Sequence, residues 1–101
     1  MNDAQRQFIQ SIIDKANDIT IATNREDGYP HATTVSYVNE DLAIYFGTWV
    51  KSQKATNLLR DPRMSATINL PYASWSEIKG LSLGGHARKV DAPEELQKAF
   101  A

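Results

Sequence analysis

The sequence predicts a small, mainly β domain in which a Greek-key barrel of antiparallel strands is flanked by helices. Several short segments rich in β-branched residues alternate apolar and polar side chains, as half-buried strands do. Tight turns containing Asn, Asp and Gly separate these segments, which favours antiparallel pairing. Strands that alternate regularly with long helices would instead indicate a parallel sheet, and the sequence does not have that pattern.

The chain begins with an amphipathic segment that predicts a helix. Asn2 or Asp3 can cap it, and the helical pattern continues to about Asn17. One apolar stripe recurs at helical spacing and predicts the face that packs on the sheet. The stripe consists of Phe8, Ile9, Ile12, Ile13 and Ala16.

Three strands are predicted next, joined as an antiparallel meander. They cover residues 19–23, 30–38 and 42–47. The first connection is a turn at residues 24–28, where the Asp27-Gly28 pair supplies a residue that tolerates positive φ. The second is a tight turn at residues 39–41.

A second helix is predicted from Ser52 to Arg60, with Ala55, Leu58 and Leu59 buried and a stop at Asp61-Pro62. The remaining segments are a strand, a loop, a glycine-containing stretch and a last helix. They cover residues 63–69, 70–76, 77–90 and 91–101. The stretch 77–90 reads as one bent strand or as two short ones. The last helix is so short that we expect the natural chain to continue beyond it.

Composition restricts the class of protein. We expect the 101 residues to form one domain, covering residues 1–101. With 11 basic and 12 acidic residues, the charge balance predicts neither a nucleic-acid nor an anionic-membrane partner. The chain has no cysteine, and its N-terminus lacks the apolar core of a signal peptide. We therefore expect a cytoplasmic protein.

The entrance to the second helix predicts an anion site. Lys51, Ser52 and Lys54 lie there, although cations at a helix N-terminus are mildly destabilising and anions are favoured. Ser52 is a good N-cap, and free backbone N–H groups with a hydroxyl and two ammonium groups suit a phosphate. The alternative is that both lysines extend into solvent.

Other kinds of site have little support. His31 and His86 lie on different predicted strands with no further ligand at metal spacing, so a zinc site is not expected. The sequence contains no Gly-x-Gly-x-x-Gly turn and no Walker loop. Redox chemistry would therefore have to be carried by a cofactor. Four aromatic residues near the two loops can stack on a planar ring or serve as core and interface residues. They are Tyr45, Trp49, Tyr72 and Trp75.

Taken together, three segments resemble the FMN-binding split-barrel flavoproteins similar to pyridoxamine 5′-phosphate oxidase. They are IATNREDGYPHATTVSYV (residues 21–38), LAIYFGTWVKSQKATNLLRDPRMSATI (residues 42–68) and GGHARKVDAPEEL (residues 84–96). The ordered pattern DG-x-P, a strand, then T-x-x-x-S-x-K-A-x-N-L-x-x-D-P-R carries the resemblance. It covers nearly the whole chain.

The resemblance implies a six-stranded antiparallel Greek-key split barrel that forms a homodimer, with FMN bound at the interface. It places the FMN phosphate at the second helix, on Thr48, Ser52, Gln53 and Lys54, with Lys51 close by. It also places the isoalloxazine and ribityl chain along the second strand, at Thr33, Thr34, Val35 and Ser36. Trp75 corresponds to an aromatic residue that approaches the flavin from the partner subunit.

The resemblance has two departures. The oxidases carry arginine at positions that correspond to Thr33 and Gln53, and they hold their substrate with a basic C-terminal segment that this sequence does not contain. We therefore do not expect pyridoxamine phosphate oxidase activity. The first hypothesis is an FMN-dependent oxidoreductase with an unknown small-molecule substrate, with the deazaflavin F420 as a less favoured cofactor. The alternatives are a non-catalytic module that binds flavin or haem, and a barrel that has lost its cofactor.

Overall fold

The computed structural model describes residues 1–90, which contain two α-helices and six strands. In chain order these are α1 (Asp3–Lys15), β1 (Asp18–Asn24), β2 (Pro30–Ser36), β3 (Val38–Glu40), β4 (Ala43–Tyr45), α2 (Gln53–Arg60), β5 (Arg63–Asn69) and β6 (Gly80–His86). A short 3-10 turn, Trp75–Glu77, precedes β6. The helix predicted for residues 91–101 lies outside the described residues.

The strands form two antiparallel sheets. One has four strands in the order β2-β1-β5-β6, and the other is the β3-β4 hairpin. In the larger sheet Ile21 lies opposite Thr33 on one side and Ala66 on the other. The fold is therefore mainly β with two helices, and within residues 1–90 the two sheets are not joined into a closed barrel.

The predicted three-strand meander is wrong at its second connection. β1 and β2 do form a hairpin, with Gly28 at φ +86° in its turn, but β3 pairs only with β4. The long second strand is interrupted at Tyr37, whose N–H donates to the Asn17 carbonyl at 3.3 Å and whose hydroxyl donates to the Ile13 carbonyl at 2.6 Å. These bonds tie the chain to the end of α1 and redirect it into a separate sheet.

The core lies between α1 and the larger sheet. Asn2 caps α1 in a capping box with Gln5, as the sequence predicts. The apolar stripe of the helix is directed at the sheet, although Phe8 at its outer edge stays 49% exposed. The buried apolar residues are Ile12, Ile13, Ile19, Ile21, Ala66 and Ile68.

Helix α2 does not bury the face that its leucines predict. Its buried residues are Lys54 and Asn57, while Leu59 is 70% exposed. Ala55 and Leu58 are only half-buried. The reason is that α2 packs its polar face on β1, where Asn57 donates to the hydroxyl of Thr23.

The C-terminal half of the described chain agrees with the sequence pattern. β5 covers residues 63–69 as predicted, and the stretch 77–90 contains one strand, β6, paired with β5 along its whole length. Neither helix in residues 1–90 is long and apolar enough to cross a membrane.

Candidate functional site

The loop from β4 to α2 builds the candidate anion site around the N-cap of the helix. Ser52 has extended backbone, donates its N–H to the Trp49 carbonyl at 2.9 Å and accepts from the Ala55 N–H at 3.1 Å. The two preceding amides of the helix, those of Gln53 and Lys54, have no intrahelical acceptor. The helix therefore offers two backbone donors, and its first turn contains no acidic residue.

Two hydroxyls and one ammonium group meet at this N-cap. Thr48 Oγ1 lies 3.0 Å from Ser52 Oγ and 3.4 Å from Lys54 Nζ. Lys54 is only 8% exposed, and no carboxylate among residues 1–90 forms an ion pair with it. Because burying a lysine is costly unless an anion compensates its charge, this cluster is a candidate site for a negatively charged group.

Lys51 has a different environment from Lys54. It lies before the helix and is exposed, so the solvent interpretation of the two lysines holds for Lys51 and not for Lys54. The structure thus brings together Thr48, Ser52 and Lys54, with Gln53 following the N-cap as the first residue of the helix.

The four predicted residues of β2 do not share one surface. Thr33 and Val35 point to the core side, whereas Thr34 and Ser36 are exposed on the other side, where Thr34 Oγ1 lies 2.9 Å from Thr20 Oγ1. Thr33 Oγ1 is buried and, within the described chain, has no hydrogen-bond partner. The same holds for Nδ1 of His31, two residues earlier on the same side. Two polar atoms on this side of β2 therefore lack a partner.

Trp75 is not part of the cluster. It lies in the 3-10 turn before β6 and is 87% exposed. Its role as an aromatic residue that reaches a flavin in a partner subunit stays a prediction.

Sequence reasoning missed several residues around the N-cap. Arg25, Glu26 and Asp27 from the β1-β2 turn line a cavity of about 410 Å³ together with Gln53. Behind it, Gln53 Nε2 donates to Asn57 Oδ1 at 2.7 Å. The sequence did contain a signal for this contact: Asn57 lies four residues after Gln53, and side chains at that spacing are neighbours on a helix. Nothing in the sequence pattern indicates that the β1-β2 turn lies beside α2.

The fold is that of a small antiparallel β protein with a candidate anion site at a helix N-terminus. The chain belongs to the pyridoxamine 5′-phosphate oxidase family, whose model matches residues 1–101. This result confirms the family that the sequence pattern indicated.

Solved structures agree with this membership. A conserved hypothetical protein from Mycobacterium tuberculosis is 35% identical, with a TM-score of 0.83 over 98% of this chain and 59% of that one. A haem-binding protein from Mycobacterium smegmatis is 25% identical, with a TM-score of 0.85 over 99% of this chain and 42% of that one. The chain therefore spans about half the length of these two proteins.

More distant similarity concerns the fold alone. The haem storage protein of Vibrio cholerae is 18% identical, with a TM-score of 0.76 over 91% of this chain and 68% of that one. No curated protein matches the sequence at a significant level.

Proposed function

We propose that this protein is an FMN-binding flavoprotein that acts as a flavin-dependent oxidoreductase on a small molecule. The single observation that carries the proposal is Lys54, a residue only 8% exposed whose ammonium lies 3.4 Å from the Thr48 hydroxyl at a helix N-terminus and forms no ion pair with a carboxylate in residues 1–90. A phosphate monoester supplies the missing negative charge and accepts hydrogen bonds from all of these donors.

The residues present fit FMN. Lys54, Ser52 and Thr48 hold its phosphate with the free amides of α2, Gln53 borders the site, and the exposed Lys51 adds long-range attraction. The ribityl chain and the ring lie along residues 33–36 of β2, with side-chain contacts from the Thr33 side of the strand and backbone contacts from the other residues. This placement gives the Thr33 hydroxyl, which is unpartnered within residues 1–90, a partner. Bound flavin supplies hydride and single-electron transfer, for which the protein provides binding, orientation and electrostatics.

The proposed cofactor site requires two copies of the chain. We propose a homodimer in which residues 1–101 form one domain and the two sheets belong to a six-stranded Greek-key split barrel. FMN lies at the interface, and Trp75 approaches it from the other subunit. The exposed aromatic side chains support this arrangement, since such groups are commonly covered by a partner.

The test is a titration of purified protein with FMN, followed by visible absorption and by quenching of flavin fluorescence. We expect about one FMN per chain and a shifted flavin spectrum. The Ser52→Ala, Lys54→Ala double variant should bind FMN at least about tenfold more weakly, because each lost charge-assisted hydrogen bond is worth about 1.5–3 kcal/mol. Lys51→Ala is the charge-matched comparison: because the exposed Lys51 adds only long-range attraction, its loss should weaken binding much less than the double variant does. If the double variant kept the parental affinity, the phosphate would bind elsewhere.

The second candidate is a non-catalytic module that binds haem. It is favoured by the Mycobacterium smegmatis haem-binding protein, which is similar over nearly the whole of this chain. Lys54 would then hold a haem propionate in place of a phosphate. A Soret band on adding haem, together with no shift of the flavin spectrum on adding FMN, would favour this candidate. Steady NADH- or NADPH-dependent turnover of bound FMN would exclude it.

A further inference from the structure

One face of the four-stranded sheet is left uncovered by the rest of residues 1–90. Both helices and the β3-β4 hairpin pack on the other face, through residues that include Ile12, Ile44 and Asn57. On the uncovered face the alternate residues of β2, β5 and β6 are exposed, and Thr20 and Ala22 of β1 are half-buried between their neighbouring strands. An antiparallel sheet with one face on the core presents the other face to water or to a partner.

The uncovered face has small, uncharged side chains in its two central rows. The register places Thr34, Thr20, Thr67 and Ser82 side by side in one row, and Ala32, Ala22, Ser65 and Gly84 in the next. These two rows are called the outer sheet face. Charged residues make up 23% of the chain, yet neither row contains one. Depletion of charge distinguishes the centre of a protein interface from the rest of a protein surface.

The chemistry of the outer sheet face suits a second copy of the same face. In a two-fold pair one patch meets itself, so a patch with one sign of charge would repel its copy. A hydroxyl both donates and accepts, and it can therefore pair with another hydroxyl. Because no side chain in the two rows is larger than threonine, two such sheets can approach closely in the aligned packing that β-sandwiches use.

The size of the surface also suits a second copy. Strands about 4.8 Å apart with a rise of about 3.4 Å per residue give the sheet an outline of about 20 Å by 20 Å, or about 400 Å². A stable interface needs about 800 Å² of accessible surface from each partner. The β5-β6 loop extends the surface at one end, with Tyr72, Trp75 and Ile78 all at least 45% exposed.

We propose that a second copy of this chain packs on the outer sheet face, with the two-fold axis parallel to the strands. This axis places β2 of one copy over β6 of the other and sets the hydroxyl row against the same row of its copy. Thr34 of one copy then faces Ser82 of the other. An axis perpendicular to the strands would set the hydroxyl row against the row of Ala32 and Ala22 and would leave its hydroxyls unmatched.

The direction of the axis has a consequence for the cofactor site. The β5-β6 loop and Ser36 of β2 lie at the same end of the sheet, because Asn69 pairs with Gly80 there and Asp18 with Ser36. The axis therefore brings the Trp75 loop of one copy to the end of β2 in the other. This consequence depends on the proposed function, whereas the packing of the two faces does not.

Sedimentation of the protein as purified, without added FMN, tests the packing. Thr67→Arg places a cation in the middle of the hydroxyl row, and the symmetric pair contains it twice. We expect the dissociation constant of the dimer to rise at least about tenfold, because burying an unpaired charge is costly. Gln7→Arg, at an exposed position on α1, is the matched control and should leave the constant unchanged. A parental protein that is monomeric, or a Thr67→Arg dimer as tight as the parental one, would overturn the inference.

Cross-linking tests the direction of the axis and does not depend on a destabilising variant. The chain has no cysteine, so engineered thiols are the only ones present. With a short bismaleimide linker, the Thr34→Cys, Ser82→Cys double variant should give a covalent dimer, and each single variant should give none. Within one chain the two positions lie on opposite edge strands, about 14 Å apart. A covalent dimer from Thr34→Cys alone, or none from the double variant, would overturn the proposed arrangement.

The inference and the proposed function fail separately. A dimer that Thr67→Arg dissociates but that binds no FMN upholds the inference and removes only the proposed function. A protein that binds FMN and keeps its dimer affinity in Thr67→Arg upholds the flavin site and overturns the inference. Melting temperatures show whether Thr67→Arg is folded, and the cross-linking result decides the matter if it is not.

Discussion

At the residue scale, the two lysines of the helix entrance have opposite environments. Lys51 is exposed, whereas Lys54 is 8% exposed and contacts only the Thr48 hydroxyl among the polar groups of the described chain. An uncompensated buried ammonium destabilises the free protein and favours binding of an anion. We therefore expect Lys54 to contribute more to ligand binding than to folding.

This difference predicts a separation of stability from binding. Lys54→Met keeps an apolar stem and removes the ammonium, so we expect the cofactor-free variant to melt at the same temperature as the parent or higher. Its affinity for FMN should fall at least about tenfold. Lys51→Met should change both quantities little. A clear loss of melting temperature in cofactor-free Lys54→Met would show that Lys54 is a structural residue.

At the scale of secondary-structure elements, the Asp61 carboxylate connects α2, β1 and β5. Asp61 ends α2, accepts hydrogen bonds from Arg63 at the start of β5 at 2.8 and 3.0 Å, and lies 3.5 Å from the side-chain amide of Asn24 at the end of β1. Arg60 also donates to the Asn24 carbonyl. The Arg63 guanidinium holds the pKa of Asp61 well below its ordinary value, with the Arg63 backbone N–H as a further cause.

This pKa shift predicts a pH dependence of stability. Because the folded-state pKa of Asp61 is lower than its unfolded-state pKa, the contribution is fully present above about pH 4 and is lost as the pH falls further. Asp61→Asn should therefore lower the free energy of unfolding at pH 7 and weaken its decline below pH 4. Urea denaturation at a series of pH values measures both. If the free energy of unfolding had the same pH dependence in parent and variant, this role for Asp61 would be excluded.

The β1-β2 turn depends on one glycine. Gly28 has φ +86°, a left-handed conformation that side chains with a Cβ adopt at a cost of about 1–2 kcal/mol. Gly28→Ala should reduce the free energy of unfolding by about that amount. Gly85→Ala is the control, since no atom lies within 4 Å of its added Cβ and its φ is not in the left-handed region. If both variants lost the same free energy of unfolding, the loss could not be attributed to the positive φ of Gly28.

At the scale of the molecule, a set of large apolar side chains is left exposed by the rest of residues 1–90. Trp49, Val50, Tyr72, Trp75 and Ile78 are all at least 45% exposed. Large exposed apolar side chains in the loops before α2 and β6 favour an interaction surface, and closed two-fold pairs are the commonest solution. The homodimer of the proposed function would cover it.

Sedimentation tests the dimer directly. At micromolar concentration we expect a particle of twice the 11.3-kDa chain mass. Trp75→Lys should shift it towards monomer and weaken FMN binding, since a charge in an apolar interface is costly. Phe8→Lys, at a half-exposed position on α1, is the control and should stay dimeric. A parental protein that sediments only as a monomer would argue against both the dimer and the interface site.

Local features of the fold were predictable because they depend on neighbours in sequence. Asn2 caps α1, Gly28 takes positive φ in the turn after β1, and β5 covers residues 63–69. The cluster of Ser52 with Lys54 at a helix N-terminus follows in the same way from capping preferences and charge. Thr48 was added to the site by family resemblance.

Long-range features were not predictable. The sequence of α2 contains an apolar face and a polar face, and eight residues do not decide which one packs inward. Thr23 on β1 decides it, by accepting a hydrogen bond from Asn57. Similarly, the anchoring of Tyr37 to α1 divides the strands into two sheets, and no local propensity reports that contact.

The sequence alone determined the family, the mainly β class, most element boundaries and the position of Ser52 as the N-cap of α2. These properties depend on alternation, capping and turn chemistry, which act over a few residues. Only the tertiary structure decided that Lys54 is buried without a carboxylate partner in residues 1–90, while Lys51 is exposed. It also brought the Gln53 side chain into hydrogen-bond contact with Asn57. Burial and hydrogen-bond direction depend on groups that are distant in sequence, and only the folded chain brings those groups together.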